Sequence, residues 1–347
     1  MNLLLIGALP PPVGGTTVLF KQLVDDLRTI DGLNIRVIDV SRPTVGGLHN
    51  IVHALRCLAL LFWHLPWASV LTFQTSLKGA ITFGPVVHIV SRIFRRRWIF
   101  RGFGGDIDSW HRHATGLRKR VFDLTVLRAD VLLVERKASV QYFQTQSKRS
   151  VHWYPNSRRC HSMPLSTAPR GRTGPRFIFV GHVKPAKGVG EIIAAAKLLS
   201  STGLTVDMYG PLQDGVSDAW FAESPVQYCG LLAKEKVITT MANYDALVLP
   251  TYWEGEGHPG VILEAYCAGI PVISTNWGGI PEIVTGETGI LVEPHDVTGL
   301  ANAMRNMIES DQLLAKLSSG ARSKAAEFDA DRWTQYFVNL CHQLATT

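Results

Sequence analysis

Two glutamates eight positions apart, Glu256 and Glu264, lie in the stretch WEGEGHPGVILEAYCAGIPVIST that runs from Trp253 to Thr275. A loop rich in glycine and proline carries Glu254 and Glu256 and leads into a helical pattern from about Gly260. The start of a helix presents free backbone N–H groups and the positive end of its dipole, which suits a phosphate. Glu264 falls just over one turn inside, where its oxygens can accept hydrogen bonds from a ribose-like diol. Taken alone, the same residues also read as two solvated loop acids and one carboxylate on a helix surface. Near the start of the chain, Gly14 and Gly15 follow a β-rich run and precede a helix from about Thr16. Two glycines let backbone approach a ligand closely, with the helix N-terminus aimed at it.

These residues need a frame to hold them. Short β-rich runs at 2–7, 36–40, 69–74, 97–100 and 131–134 alternate with helix-length stretches such as 17–27, where Leu19, Leu23 and Leu27 share one face. Residues 51–73 are apolar but interrupted by His53, Arg56, His64 and Pro66, and read as a buried helix followed by a strand. Around 155–176 the composition turns to Pro, Gly, Ser and Thr, the mark of a linker or surface excursion. The alternation then restarts, with strands expected at 177–181, 205–209, 226–229, 246–249, 271–274 and 289–292 and a helix over about 188–200. The fold class expected is α/β, with two Rossmann-like, doubly wound domains facing a cleft that takes the ligand. The first domain covers 1–155 and the second 156–329, with a C-terminal helix over 330–347 packing back on the first.

Composition narrows the function classes. The chain has 347 residues, 46% hydrophobic and 18% charged, which excludes disorder over most of its length. Its five cysteines (Cys57, Cys160, Cys229, Cys267 and Cys341) are scattered and odd in number. That argues against a zinc ribbon or a disulfide framework and suits a reducing cytoplasm. The apolar start, Met1–Leu9, lacks the basic n-region expected of a secretory signal and reads as a buried first strand, and no uninterrupted run approaches the roughly 20 apolar residues that span a bilayer. Charge is uneven: residues 1–150 carry 20 Lys and Arg against 9 Asp and Glu, whereas 151–347 carry 15 against 19. One half therefore faces an anionic surface or substrate. Arg92, Arg95, Arg96 and Arg97 form a basic cluster with Phe94 and Trp98, and Arg118–Arg120 a second. They read either as a solvated helix end or as a contact for anionic lipid headgroups. Nothing resembles a nucleic-acid-binding module.

The segment around Glu256 and Glu264 resembles the retaining glycosyltransferases of family 4, whose fold is GT-B. That family carries E-G-F-x-x-x-x-x-E-A-M-A-x-G-x-P-V-I; here Glu256-Gly257 and Glu264-Ala265 are followed by Gly269, Pro271, Val272 and Ile273. The resemblance implies that Glu256 contacts donor-sugar hydroxyls and Glu264 holds the nucleotide's ribose. Phe179–Gly188 resembles the family's strand-exit loop G-R-x-x-x-x-K-G, whose cations neutralise the donor diphosphate as it gains charge on leaving. Lys187 matches the family lysine, while His182 replaces the usual arginine and leaves Lys184 or a protonated His182 for the second charge. Gly14, Gly15 and Gly260 join this diphosphate set. Tyr228, Gly230 and Leu231 fit the strand end beside the nucleotide. The Gly278-Gly279-Ile280-Pro281-Glu282 loop and Pro155-Asn156 also match family positions.

The pattern has departures. Phe103 occupies the place of a histidine that reaches toward the donor sugar, so no general base is assigned. The resemblance implies front-face attack in which the departing phosphate takes the acceptor proton. Arg101, Asp106, His111 and His113 are the polar groups nearest that slot and the acceptor-side candidates. Asp106 and Asp108 spell D-x-D, read here as a turn and helix N-cap pair rather than a metal motif. No metal and no separate cofactor is expected, the nucleotide-sugar being a substrate.

What the resemblance implies is transfer of a sugar to a saccharide or polyprenyl-linked acceptor, in bacterial surface polysaccharide synthesis. The expected place is the cytoplasm, peripherally on the inner membrane face. A nucleotide-sugar epimerase of GT-B type and a non-catalytic sugar-nucleotide scaffold are the alternatives.

Overall fold

The computed structural model describes residues 1–12, 14–41, 48–160 and 174–346. Its chain forms two compact units, Met1–Asn156 with Ala330–Thr347, and Ser157–Asp329. The core of the Pro/Gly/Ser-rich linker, 161–173, and Val13 lie outside the described residues.

The first unit alternates strand and helix throughout: β1 (Asn2–Gly7), α1 (Gly15–Arg28), β2 (Asn34–Asp39), α2 (Leu48–His64), β3 (Val70–Ser76), α3 (Leu77–Thr82), α4 (Gly84–Ile93), β4 (Arg97–Phe103), α5 (Ile107–His113), α6 (Gly116–Leu124), β5 (Val131–Val134), α7 (Lys137–Gln146) and β6 (Ser150–Trp153). The six strands pair in parallel in the order β2-β1-β3-β4-β5-β6. Burial on both sides explains the apolar runs. On β1, Leu4 and Ile6 enter one core with Phe73, Trp98 and Phe100, while Leu3 and Leu5 enter the other with Phe20 and Ile99.

In the second unit the elements are β7 (Arg176–Val180), α8 (Val189–Leu198), β8 (Thr205–Tyr209), β9 (Val226–Tyr228), α9 (Val237–Met241), β10 (Ala246–Leu249), α10 (Gly260–Ala268), β11 (Val272–Thr275), β12 (Gly289–Val292), α11 (Val297–Glu309) and α12 (Asp311–Ala325). Its parallel order, β12-β11-β10-β7-β8-β9, reverses direction between β7 and β10. Loops leaving the carboxyl ends of the strands on either side of such a reversal open a crevice, the usual ligand site of an open α/β sheet. The chain then returns to the first unit as α13 (Ala330–Thr346). There Trp333, Phe337, Val338 and Cys341 pack into the core lined by α1, and Thr334 Oγ1 donates to Asp26 at 3.4 Å.

Two expectations need correction. The helix within 51–73 is present, but it is not buried all round. Cys57 and Leu61 face the core, whereas Ile51, Val52, Leu55 and Trp63 are exposed, Trp63 at 78%. A helix lying on one sheet face can bury only one stripe, so uniform apolar character leaves an apolar outer face. The cysteines also do not all stay free, because Cys160 and Cys267 form a disulfide within the second unit. They are 107 residues apart in sequence, and only the packing of the 157–160 segment against α10 brings them together. Cys57, Cys229 and Cys341 are free.

Candidate functional site

Two loops meet at the strand-order reversal of the second unit. After β7 the chain makes a tight turn at Pro185–Lys187 and enters α8 through Gly188. Gly188 has φ +77°, and a Cβ there would sit 2.3 Å from the Pro250 carbonyl oxygen, so a glycine is required. After β10 comes the loop 250–259. The two are stitched together by Tyr252 N–H donating to the Ala186 carbonyl at 3.0 Å.

That stitching brings Lys187 and Glu256 into an ion pair, with Glu256 8% exposed. Thr251 Oγ1 donates to the same carboxylate oxygen, Oε2, at 2.8 Å. Lys184 is buried alongside, its ammonium 3.4 Å from the centre of the Trp253 ring. Burial lowers the Lys184 pKa; Lys187 pushes the same way, and Asp214 and Glu256 oppose it. The Gly-Gly loop after β11 supports Glu256 from behind. Gly278, at φ +57°, leaves room for the Glu256 carbonyl, which accepts from Gly279 N–H at 3.2 Å. His258 Nε2 and Glu282 Oε2 are 3.2 Å apart, tying the 250–259 loop to the Pro281-Glu282 turn.

Past this loop, α10 begins at Gly260 and carries Glu264. Arg158, from the segment that enters the second unit, donates from Nε to Glu264 Oε1 at 2.7 Å. Its guanidinium covers the start of α10, with Nη2 1.7 Å from where a Cβ on residue 260 would lie. Gly260 is therefore a space for Arg158 as well as the head of the helix. The Cys160–Cys267 bridge ties the segment carrying Arg158 to α10.

Other candidates stand apart from this cluster. His182 is exposed, and its Nδ1 lies 2.7 Å from Gln213 Oε1. Tyr228 stacks on Phe221 at 5.6 Å and donates to the Gly210 carbonyl at 2.9 Å. Gly230 takes φ +75°, and Leu231 beyond it is exposed. In the first unit, Gly14 and Gly15 start α1, with open space where a side chain at either would lie.

The acceptor-side candidates divide. Arg101 is buried between the rings of Phe103 and Tyr154, 4.5 and 4.3 Å from their centres, and donates to Gln74 at 3.2 Å. Burial lowers its pKa, partly offset by Tyr154 and Glu135. His111 is enclosed, with Nδ1 2.8 Å from Tyr142 Oη and Nε2 2.6 Å from Asp123. Both ring nitrogens are engaged inside the unit, which leaves none for an acceptor. His113 Nδ1 lies 2.8 Å from the Ser109 carbonyl on its own helix. Asp106 is half-buried, and burial raises its pKa. The capping role expected of Asp106 and Asp108 is not realised. Asp106 makes no side-chain cap bond, and buried Asp108 instead accepts from Ser139 at 2.8 Å.

Arg158 and Thr251 are the site residues that sequence reasoning missed. A signal for Arg158 was present: two arginines directly follow Pro155-Asn156-Ser157 at the junction of the two sheets.

Two six-stranded parallel sheets of this order, with helices on both faces, define a GT-B protein. The solved structure of the Anabaena protein HepE in complex with UDP superposes with a TM-score of 0.77, covering 99% of this chain and 100% of that one at 19% identity. At that identity the likeness concerns the fold. Residues 174–310 match the family model described as glycosyl transferases group 1. Glycogen synthase of Mycobacterium tuberculosis is 32% identical over 175 residues, 47% of this chain and 41% of that protein. D-inositol 3-phosphate glycosyltransferase of Corynebacterium diphtheriae is 27% identical over 216 residues, 57% of this chain and 47% of that protein. The chain thus spans less than half the length of these curated relatives. The match to the group 1 glycosyl transferase model falls within the second unit, on a chain whose fold is that of GT-B proteins.

Proposed function

We propose that the protein is a retaining, metal-independent glycosyltransferase that moves a sugar from a nucleotide-sugar to a saccharide or polyprenyl-linked acceptor, in surface polysaccharide synthesis. The observation that carries this reading is the pairing of Lys187 with Glu256 at the strand-order reversal, beside the α10 N-terminus and Glu264. Glu264 takes the ribose hydroxyls and Glu256 the hydroxyls of the donor sugar. Lys187, Lys184 and the helix N-terminus balance the diphosphate charge that grows as the glycosidic bond breaks. With Phe103 where a histidine would stand, the departing phosphate oxygen takes the acceptor proton. Relatives named as a glycogen synthase and a glycosyltransferase favour this over the epimerase and scaffold alternatives.

The test is thermal melting with UDP, GDP, ADP and dTDP, each with magnesium and with EDTA. A ligand at 100 times its dissociation constant stabilises by about 2.7 kcal/mol. One base should raise the melting temperature, equally with and without magnesium. UDP is the first to try, since HepE was solved with it. No shift with any of the four would overturn the reading.

The acceptor side includes an anionic membrane surface against α2 and α4. Both helices pack into the same core, through Cys57 and Leu61 on α2 and Val87 and Val90 on α4. Their outward residues are Ile51, Val52, Leu55 and Trp63 on α2 and Ile89 and Ile93 on α4, with Phe62 against Phe94 at 5.8 Å joining the two. From residue 40 to 105 the chain has eight Lys and Arg and no Asp or Glu. Arg92 and Arg97 reach Asp130 at 3.8 and 3.0 Å, and Arg96 donates to the Pro66 carbonyl, while Arg95 projects exposed. Among the described residues no helix is long and apolar enough to cross a membrane. An apolar helix face rimmed by cations suits lying on an anionic bilayer.

A further inference from the structure

The expected diphosphate loop falls short of its cations. His182 stands where the resemblance places an arginine, but it is exposed and turned to Gln213. Lys187 is neutralised by Glu256, and Lys184 rests on the Trp253 ring. An arginine outside the motif lies at the head of α10. We propose that Arg158 binds the donor diphosphate, leaving Glu264 to the ribose when the nucleotide enters. This assignment rests on the reading of the second unit as a nucleotide-sugar site.

Three observations carry it. The Arg158 guanidinium covers Gly260, the first residue of the helix whose positive end faces the phosphates in that reading. Its side chain is 11% exposed, so its charge acts in a poorly solvated place where it counts for more than on an open surface. Its bonds leave one end of the fork in hand: Nε is given to Glu264 and Nη1 to the Ser157 carbonyl, while Nη2 projects over Gly260. An arginine fork matches phosphate oxygens in shape as well as charge.

The backbone of Arg158 is well held for this work. Its N–H donates to the Phe328 carbonyl at 2.9 Å, and it bridges to Asp329 in parallel pairing, where the chain leaves the second unit. Ribose hydroxyls arriving at Glu264 and phosphate oxygens arriving at Arg158 replace one internal ion pair by two contacts to the same ligand. Arg158 then faces the phosphate charge and Glu264 keeps hydrogen-bond donors in the ribose hydroxyls, so neither group is left without a polar partner at this burial.

The test compares Arg158→Gln with the wild type, using the nucleoside diphosphate that shifts wild-type melting and its parent nucleoside. Isothermal titration should show the diphosphate weakened ten- to a hundredfold in Arg158→Gln and the nucleoside changed less than twofold. Arg158→Lys, which keeps the charge, should fall between. Equal weakening of nucleoside and diphosphate would overturn the proposal, because Arg158 would then act only through Glu264. Unchanged diphosphate affinity would overturn it as well. A second variant covers failure of Arg158→Gln to fold. Glu264→Gln releases Arg158, so inorganic pyrophosphate, which has no ribose, should bind three- to tenfold more tightly than to the wild type; no gain counts against Arg158. A wild type that binds none of the four diphosphates defeats the nucleotide-site reading itself, and the assignment with it. A wild type that binds while the variants behave alike defeats the assignment alone.

Discussion

Lys187 and Glu256 neutralise each other in the loop pair between β7 and β10, and Thr251 donates to the same carboxylate oxygen. In the proposed donor site, the cation assigned to the diphosphate is thus held by the carboxylate assigned to the sugar. Replacing Lys187 by Ala removes a hydrogen bond from a charged donor, worth about 1.5–3 kcal/mol, or roughly ten- to a hundredfold in affinity. Titration of Lys187→Ala with the nucleoside diphosphate should show that loss. Glu256→Gln should do the reverse to binding. It frees Lys187, so diphosphate affinity stays level or rises, while sugar transfer falls by on the order of a hundredfold. A Glu256→Gln enzyme with normal turnover would remove Glu256 from the donor site.

Position 188 tests whether the loop geometry, rather than charge alone, sets Lys187. Alanine there must adopt φ near +77° and push its Cβ toward the Pro250 carbonyl, 2.3 Å away in the present backbone. Strain of this kind costs about 1–3 kcal/mol before the clash is counted. Gly188→Ala should lower the melting temperature and weaken diphosphate binding together. If it melts earlier but binds as tightly as the wild type, Lys187 does not depend on this turn.

His88, on α4, gives a pH signature in the first unit. Burial pushes its pKa down to about 4, and Arg92, Arg128 and Arg149 push the same way against Asp130. Its ring lies edge-on to Trp98 at 5.9 Å. Well above pH 6.5 the ring is neutral folded or unfolded and contributes nothing to pH dependence. As pH falls from 6.5 toward 4 the unfolded chain takes up the proton first, so stability is lost across that window, by about 1–3 kcal/mol. His88→Phe should flatten the stability difference between pH 7 and 4 by that amount in denaturant titrations. Parallel profiles for the two proteins would show that His88 is not held neutral.

The parts of this structure legible in the sequence are those set by local pattern. Buried parallel strands are short, largely apolar runs bounded by charged residues, glycine or proline, and β1, β5, β8, β10 and β12 begin and end where such runs do. Lys187 and Glu256 each lay in view through the family loops they match, though their ion pair did not. Arg158 did not, since its partner Glu264 is 106 residues away and no periodicity links a junction arginine to a helix carboxylate. The Cys160–Cys267 bridge was hidden for the same reason. His111 misled in the opposite direction. A histidine near a glycine-rich strand end reads as reactive, whereas tertiary packing gives both its nitrogens to Tyr142 and Asp123. For α2 the apolar content was plain, but which stripe faces water depends on where the helix lies on the sheet.

That outer stripe of α2 supplies the last prediction. Trp63 is 78% exposed one residue beyond Phe62, and Leu55 two turns earlier lies on the same side. In water these side chains are left solvated at the expense of solubility, whereas at a bilayer interface Trp is among the most favourable residues. Flotation with vesicles containing phosphatidylglycerol should carry the wild-type protein, and vesicles of phosphatidylcholine alone should carry much less. Trp63→Glu places a charge at the C-terminal end of the apolar stripe, on its most exposed ring, and should abolish flotation while leaving the nucleoside diphosphate binding proposed for the second unit unchanged. Arg95→Ala removes one cation worth about 1 kcal/mol near the surface, a roughly fivefold loss that grows as salt is lowered. If anionic vesicles fail to carry the wild type at low salt, or if Trp63→Glu floats as well as the wild type, α2 does not face lipid.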